Sequence, residues 1–326
     1  MKILITGGAG YIGATIASAC LDAGHSAIVL DDLSTGRASH VEGRTAYVGD
    51  VADGELVDRV FAEHPDIFAV VHCAARIVVP ESMGDPLGYY SANVGDTVTL
   101  LRHLRRNGAQ RIVFSSSASI YAAEDAGGVA EDGAIRPGSP YARTKLMVEQ
   151  ILEDAAAAGE FRALSLRYFN PIGVDPHRRT GPTSDNPTHV LGLMMKAADA
   201  GTDFSITGVD WPTRDGSGLR DFIHVWDLAQ AHVRAVERFD AVVTIEQPFL
   251  ALNIGTGRGT TVRELIAAFR AVSGQPLRTI EAPRRAGDSA GAFAMVDAAR
   301  SRLDWSADRS LEDGIRSALE WRASHV

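Results

Sequence analysis

Tyr141 and Lys145, in the sequence YARTK, are four residues apart, the spacing that places two side chains on one face of a helix. A tyrosine hydroxyl ionises at about pH 10, but a nearby ammonium group or an oxidised nicotinamide favours the phenolate and lowers its pKa. Tyr141 could then remove a proton from an alcohol near neutral pH. Because ordinary surface pairs share this spacing, the interpretation depends on what surrounds it.

Three consecutive serines end a strand-like segment shortly before this pair. RIVFSSS (111–117) carries Ser115, Ser116 and Ser117 at its carboxyl end. Open α/β sheets bind their ligands at the carboxyl ends of the strands, so the serines and the Tyr141 helix are predicted to meet at one edge.

A glycine-rich segment, TGGAGYIG, places Gly7, Gly10 and Gly13 between the first predicted strand and a helix. Glycines there allow a tight turn and close approach of the backbone to a pyrophosphate, which the free N–H groups of the helix can bind. A purely structural turn is the alternative.

Asp31 lies 18 residues beyond Gly13, where a carboxylate binds ribose hydroxyls and repels a 2′-phosphate. This favours NAD over NADP, and Asp50, after the third strand, is predicted to reach the adenine.

The elements that must position these residues alternate between β-rich runs and helical stretches. Strands are predicted at 2–6, 26–30, 45–49, 69–75, 111–117 and 162–169. Their continuous apolar character indicates burial on both faces, and the order indicates a doubly wound parallel α/β sheet of the Rossmann type. We predict a dinucleotide-binding domain over 1–170. A smaller substrate lobe, with some segments returning to the core, is predicted over 171–326.

Composition narrows the possible functions. The net charge of −9 over 326 residues disfavours nucleic acid as a partner, because that binding requires clustered basic residues. An anionic ligand would need local cations, for which the candidates are Arg178, Arg179, Arg220 and the Arg284–Arg285 pair. The apolar start ends too early for a signal peptide, and no membrane span is predicted. Cys20 and Cys73 are interpreted as reduced structural thiols of a cytoplasmic protein.

Across nearly its full length the chain resembles the extended short-chain dehydrogenase/reductase family, and within it the 4-epimerases of UDP-glucose and UDP-galactose. The motifs that carry the resemblance are GGAGYIG, VVHCAA, PES…PLGYYSANV, FSSSASIY, SPYARTKLMVEQIL, LRYFNPIG, GLRDFIHVWDLA, LNIGTG and PRRAGD. The resemblance implies an α/β enzyme that uses NAD to oxidise C4 of a UDP-hexose and return the hydride to the opposite face. It also implies a homodimer formed through helices around 88–107 and 140–158.

The resemblance further implies roles for particular residues. Ser117, Tyr141 and Lys145 would be the catalytic group. With the three glycines and Asp31, the NAD site would include Tyr11, Ile12, Asp32, Asp50, Val51, Cys73, Ala74, Ala75, Asn93, Ser115, Tyr141, Lys145, Tyr168 and Phe169. The UDP-sugar would contact Ser117, Tyr141, Asn170, Val190, Ser205, Thr207, Arg220, Arg285, Asp288 and Ala292.

Two positions in the family pattern bear on these roles. Ile77 occupies the position of a lysine that assists the cofactor phosphates, and neighbouring Arg76 is a candidate substitute. Ala292, four residues after Asp288, aligns with a side chain that gates substrate size, so small residues there leave room for an N-acetyl group. The alternative for this stretch is a flexible loop.

Other functions remain to be weighed. A 4,6-dehydratase or a decarboxylase also begins by oxidising C4, but a dehydratase carries an acidic pair where this chain has Ala118 and Ser119. A noncatalytic NAD-sensing protein would not need Tyr141 and Lys145. The ten histidines show no spacing typical of a metal hydrolase, so no metal is predicted.

Overall fold

The structure is a computed structural model that describes residues 1–122, 126–182, 187–284 and 288–325. As far as Ile172, the elements are β1 (Lys2–Thr6), α1 (Tyr11–Asp22), β2 (Ser26–Asp31), β3 (Thr45–Val48), α2 (Gly54–Glu63), β4 (Ile67–His72), α3 (Val79–Gly84), α4 (Pro86–Tyr90), α5 (Asp96–Arg106), β5 (Arg111–Ser117), β6 (Gly128–Val129), α6 (Pro140–Ala157), β7 (Arg162–Tyr168) and β8 (Asn170–Ile172). A π-helical turn, Ser91–Gly95, joins α4 to α5.

The remaining elements form the second half of the chain. They are α7 (Val190–Ala200), β9 (Phe204–Thr207), β10 (Leu219–Arg220), β11 (Phe222–His224), α8 (Val225–Glu237), α9 (Phe239–Val242), β12 (Phe249–Ile254), β13 (Thr260–Thr261), α10 (Val262–Ser273), β14 (Thr279–Ala282), β15 (Gly291–Ala294), α11 (Asp297–Leu303) and α12 (Leu311–His325). In the described part of the chain, no helix is both long and apolar enough to span a bilayer.

A parallel sheet with the order β12-β7-β5-β4-β1-β2-β3 lies at the centre of the molecule. The predicted doubly wound α/β fold is confirmed. The chain direction across the sheet reverses between β1 and β4, and a crevice forms where the loops after these strands diverge. Burial on both faces holds for the central strands but not for β3, an edge strand whose residues are mostly exposed.

Helices cover both faces of this sheet and close two apolar cores. On one face α1 and α8 pack together with side chains of β1, β2, β7 and β12, while α2, α5 and α6 cover the other face. The apolar side chains of these strands are thus buried on both faces of the sheet, which is why the strand sequences do not alternate between apolar and polar residues.

A third core belongs to the second half of the chain. Side chains of α7, β9, α10 and α12 bury one another around Phe269 and Met194. Small parallel pairs, β8 with β11 and β9 with β14, and the sheet β13-β10-β15-β6 border this core. Between these segments the chain re-enters the larger layer, because β12 pairs with β7 and α8 lies against α1.

Candidate active site

The start of α6 places a tyrosine and a lysine against the sheet. Ser139 caps the helix by accepting the Ala142 N–H at 3.2 Å, and Pro140 occupies the first helical position, where its missing N–H costs nothing. The helix therefore begins just before Tyr141, and the four-residue spacing brings Lys145 to the same buried face. The two side chains are 7% and 3% exposed.

Lys145 is held by the end of strand β5. Its Nζ donates to the Ser115 carbonyl oxygen at 2.8 Å and lies 4.9 Å from the centre of the Phe114 ring. Burial lowers the pKa of Lys145 to about 8, while the nearby Cys73 and Glu149 raise it. The ammonium is thus close to its titration range near neutral pH.

Tyr141 is brought together with Ser117 at the same edge. A hydrogen bond with Ser117 lowers the pKa of Tyr141, but burial raises that pKa by more. The Lys145 ammonium lies 6.0 Å from the centre of the tyrosine ring. The expected activation of Tyr141 relied on two cations, and the protein itself supplies only one. In the protein alone, Tyr141 is therefore a protonated phenol.

The glycine-rich turn has no space for side chains. Gly7 adopts φ of +69°, and a Cβ there would lie 2.6 Å from the Ala74 nitrogen. A Cβ at Gly13 would lie 2.2 Å from the Gly7 carbonyl oxygen. Gly10 is the N-cap of α1 and contributes no capping side chain, so the first N–H groups of this helix remain available to an anion.

The acidic residues after β2 and β3 differ in their surroundings. Asp31 is buried, and its carboxylate accepts the N–H groups of Ala9 and Leu33 at 2.9 and 2.8 Å, which fixes it beside the glycine turn. Asp32 is exposed and accepts from Ser34 within its own turn. Asp50 is also exposed, and Val51 beside it is half-buried.

The segment after β4 closes the other side of the crevice. Cys73, Ala74 and Ala75 are half-buried, and the Cys73 Sγ lies 3.1 Å from the Ser115 Oγ. Burial raises the pKa of Cys73 to about 11, which keeps it a thiol at neutral pH. Burial also raises the pKa of Tyr168, and Phe169 beside it is buried.

Asn93 has both functions of its amide engaged by protein groups. Its Oδ1 accepts the Arg76 N–H at 2.8 Å, and its Nδ2 donates to the Arg76 carbonyl at 2.9 Å and to Thr144 Oγ1 at 3.0 Å. Asn93 thereby ties the loop after β4 to helix α6, a positioning contact at the edge of the site.

The suggestion that Arg76 assists the cofactor phosphates finds no support in its contacts. Its guanidinium pairs with Asp85 at 2.8 Å and lies over the ring of Tyr89. Ile77 is 61% exposed.

Two other candidate cations are also paired with carboxylates in this structure. Arg179 pairs with Asp22 at 2.7 Å and with Asp175 at 2.5 Å, and Arg178 pairs with Glu320.

The predicted substrate residues lie on the second half of the chain. Asn170 begins β8 and is exposed, and half-buried Val190 begins α7. Ser205 and Thr207 lie on β9 opposite Ile280 and Ala282 of β14. Past the ends of these two strands lies a pocket of about 380 Å³ lined by Gly208, Val209, Asp210, Glu281, Ala282, Pro283 and Arg284.

Arg220 and Ala292 are paired in register between β10 and β15. The Arg220 guanidinium donates to the Leu219 carbonyl at 2.6 Å. Ala292 therefore lies in a strand, and the alternative that this stretch is a flexible loop is wrong for residues 291–294. Asp288 is described and has partners of its own, whereas Arg285 lies outside the described residues. Arg284 pairs with Asp210 at 2.7 Å and stacks on Trp211.

A buried network behind the serines was missed by the sequence interpretation. It consists of Glu149, Arg167, Tyr121 and Asn253, all less than a tenth exposed. One signal was present, because Glu149 continues the four-residue spacing of Tyr141 and Lys145 along α6.

Comparison with known proteins agrees with this geometry. Residues 3–255 match the NAD dependent epimerase/dehydratase family. The UDP-glucose 4-epimerase of Azospirillum brasilense is 41% identical over 93% of this chain and 86% of its own length. The crystal structure of UDP-glucose 4-epimerase from Stenotrophomonas maltophila, with bound NAD and formylated UDP-arabinopyranose, superposes with a TM-score of 0.94 at 36% identity, covering 100% of this chain and 98% of that one. The enzyme of Bifidobacterium longum, in complex with NAD+ and UDP, gives a TM-score of 0.92 at 32% identity, with 99% and 98% covered.

Proposed function

The chain belongs to the NAD dependent epimerase/dehydratase family, and from this we propose that it interconverts the C4 epimers of UDP-glucose and UDP-galactose at the edge formed by β5 and α6. The observation that carries the proposal is the burial of Tyr141 and Lys145 side by side against Ser115 and Ser117. This is an acid–base group next to a dinucleotide cradle, which suits oxidation of an alcohol.

The residues around the glycine turn fit NAD. Close backbone packing at Gly7 and Gly13 sets the tight turn before α1, and the uncapped N-terminus of that helix supplies N–H donors for a pyrophosphate. The fixed carboxylate of Asp31 suits ribose hydroxyls and opposes a 2′-phosphate. When bound there, NAD supplies the reversible hydride acceptor that the reaction needs.

The chain's own side chains manage the proton of the C4 hydroxyl. As the C4–H bond loses its hydride, the Tyr141 oxygen takes the hydroxyl proton and Ser117 hydrogen-bonds the same oxygen, so that a C4 ketone forms. Lys145 keeps a positive charge beside Tyr141 and favours its phenolate. After the keto sugar has rotated in the site to present its other face, Tyr141 returns the proton as the hydride is added to that opposite face. Substrate and product are isomers, so no net oxidation occurs.

The second half of the chain is proposed to hold the UDP group. Arg220 and Arg285 would bind the diphosphate, because a guanidinium presents several donors in a rigid fork. Asn170, Val190, Ser205, Thr207 and Asp288 would contact the sugar and uridine. The pocket beyond β9 and β14 supports this arrangement, since Ser205 and Thr207 lie on the strand that leads to it.

Product analysis tests the proposal directly. Purified protein is incubated with UDP-galactose, UDP-glucose and their N-acetyl counterparts, and the products are separated by chromatography. We expect interconversion of the first two without added reductant. Formation of a stable 4-keto-6-deoxy sugar would instead establish a dehydratase, although Ala118 and Ser119 stand where that enzyme has an acidic pair.

We further propose that two chains associate through α5 and α6. A groove between these helices is lined by Val98, Leu101, Arg102, Arg105, Ile151, Ala155, Glu160 and Phe161. Its apolar floor and its rim of both charges, where Arg105 pairs with Glu160, suit an antiparallel pairing with a second copy. Sedimentation should give twice the mass of one chain, and Ile151→Arg should reduce it to the monomer. A monomeric unaltered protein would contradict the proposal.

The cytoplasm is the proposed location. Cys20 and Cys73 are free thiols, and buried Cys20 has its pKa raised to about 12. Such thiols suit a reducing compartment. Cell fractionation followed by immunodetection is the test, and recovery in an exported fraction would contradict it.

A further inference from the structure

An ion pair that the proposed mechanism does not use lies behind the reacting group. Glu149 of α6 and Arg167 of β7 are 3% and 6% exposed. The Arg167 guanidinium donates to both carboxylate oxygens, with its shortest contact at 2.7 Å. Removing two charges from water costs much of what their attraction returns, so a buried pair adds little net stability. The role of the pair therefore lies in how it positions the groups that it contacts and in the charges that it places near the site.

The pair acts on strand β5 through Ser116. Ser116 and Arg167 are register partners on neighbouring strands, and the Ser116 hydroxyl donates to the Glu149 carboxylate. The residues on either side of Ser116 are those that hold the reacting groups. The Ser115 carbonyl accepts from Lys145, and Ser117 is hydrogen-bonded to Tyr141. Holding Ser116 in place therefore also holds its two neighbours, the Ser115 carbonyl that binds Lys145 and the Ser117 side chain that binds Tyr141.

The same guanidinium reaches a second set of groups. Arg167 donates to the Tyr121 hydroxyl and to the Glu131 carbonyl, both at 2.8 Å. The Tyr121 hydroxyl donates to Asn253 at 2.8 Å, and Asn253 holds the Val129 carbonyl. Val129 belongs to β6, which pairs with β15. The ion pair thus connects the catalytic strand to the strand that carries Ala292.

The pair also bears on the charge around Lys145, because Glu149 raises the pKa of Lys145 and Arg167 is the ion-pair partner of Glu149. The titratable groups facing this region are Tyr141 and Glu149 from α6, His72 at the end of β4, Cys73 just after it, Arg167 and Tyr168 from β7, and His232 from α8. Burial lowers the pKa of His72 to about 3 and that of His232 to about 4, and it raises those of Cys73 and both tyrosines, so these five groups are neutral near pH 7. Glu149 and Arg167 form the ion pair within this set.

We infer that Glu149 and Arg167 are positioning residues for the reaction proposed above: they hold Ser116 between its two functional neighbours, and Glu149 places near Lys145 a negative charge that Arg167 offsets. The inference rests on the proposed function. It gives the two residues opposite effects on Lys145, which a packing role would not do.

Charge-neutral variants test this. Glu149→Gln, Arg167→Gln and the double variant keep hydrogen-bonding groups while removing one charge or both. The turnover of UDP-galactose and the dissociation constant of NAD are measured for each across about pH 6 to 10, the range that brackets an activated lysine and tyrosine. We expect the alkaline limb of both profiles to move to lower pH in Glu149→Gln and to higher pH in Arg167→Gln, by roughly half a unit or more. The double variant should return close to the unaltered protein.

Ser165→Ala is the matched control, because it removes from the same face of β7 a buried hydroxyl that has no hydrogen-bond partner among the described residues. Its profiles should not move. Shifts of one sign in both single variants, or no shifts in an active enzyme, would overturn the inference. If Arg167→Gln does not fold, the alkaline limb of the Glu149→Gln profile must still lie at lower pH than that of the double variant. If the unaltered protein does not epimerise, the proposed function fails, and the NAD binding profiles alone decide the inference.

Discussion

At the scale of single residues, the chemistry depends on a phenol that the protein keeps protonated until a ligand arrives. Burial raises the pKa of Tyr141, and the Ser117 hydrogen bond lowers it by less. Lys145, with a pKa of about 8, contributes a positive charge that weakens as pH rises. A cofactor with a cationic ring would lower the pKa of Tyr141 and favour its phenolate. Activation of Tyr141 is therefore coupled to occupancy of the dinucleotide site.

Tyr141→Phe isolates the hydroxyl group from the ring. We expect turnover to fall by about 10²- to 10⁴-fold, the usual contribution of general acid–base catalysis, while NAD remains bound. Tyr47→Phe is the control, because the Tyr47 hydroxyl contacts Glu63 and His64 on the exposed edge of the sheet. Turnover of Tyr141→Phe within a few-fold of the unaltered enzyme would remove Tyr141 from its assigned role.

The two neighbouring carboxylates after β2 give a second residue-scale prediction. Asp31 is buried and immobilised by two backbone N–H groups, whereas Asp32 is exposed. Asp31→Ala should therefore lose the preference for NAD over NADP, and Asp32→Ala should keep most of it. The measurement is the dissociation constant of each dinucleotide. Equal occupancy by NAD and NADP in the unaltered protein, after denaturing release, would contradict the assignment.

At the scale of elements, β15 holds Ala292, the proposed gate of the sugar site, in register with Arg220. The strand is tied in place by pairing with β10 and by Asp221, which accepts the Ala294 N–H at 3.1 Å and also the N–H groups of Thr256 and Gly257. A rigid strand can set pocket size in a way that a mobile loop cannot.

If Ala292 gates the sugar site, UDP-N-acetylgalactosamine should be converted with efficiency comparable to that of UDP-galactose. Ala292→Tyr should then suppress the N-acetyl reaction selectively, by at least about 10-fold, because overfilling a pocket excludes the larger substrate first. Phe293→Tyr, which adds a hydroxyl on the opposite face of the same strand, is the control. Absence of N-acetyl turnover beside active galactose conversion would mean that another residue closes the site.

The elements that carry periodic signals were the predictable part of this fold. KILIT and RIVFSSS read as strands because their apolar runs lie between helices, and the YARTK spacing indicated the helix face that the structure buries. The Glu149–Arg167 pair could not be predicted, because its partners come from α6 and β7 and meet only through strand register. The Arg76–Asp85 and Arg179–Asp22 pairs were equally hidden, since these partners lie at no fixed spacing from one another.

At the scale of the whole molecule, histidines buried in the neutral form link folding to pH. Burial lowers the pKa of His224 and His232 to about 4, and His224 lies where α8 meets α12. Its Nδ1 caps α8 by accepting the Trp226 N–H at 3.0 Å, which requires an unprotonated nitrogen. The unfolded chain binds the proton near pH 6.5 and the folded chain near pH 4, so this stability is present above pH 6.5 and is lost as pH falls toward 4.

His224→Asn should therefore flatten the pH dependence of unfolding. Asparagine is a good N-cap and does not titrate, so the helix start is retained while the proton linkage is removed. When the pH falls from 7 to 5, proton binding at each such histidine in the unfolded chain lowers the free energy of unfolding by about 2 kcal/mol, since one pKa unit corresponds to about 1.4 kcal/mol. The raised pKa values of Asp221 and Asp227 oppose this trend in the same experiment, but they are common to both proteins and cancel in the comparison. Urea unfolding at the two pH values measures the difference. An equal loss of stability in both proteins would show that His224 is not the linked group, because its proton would then bind the folded and unfolded chains alike.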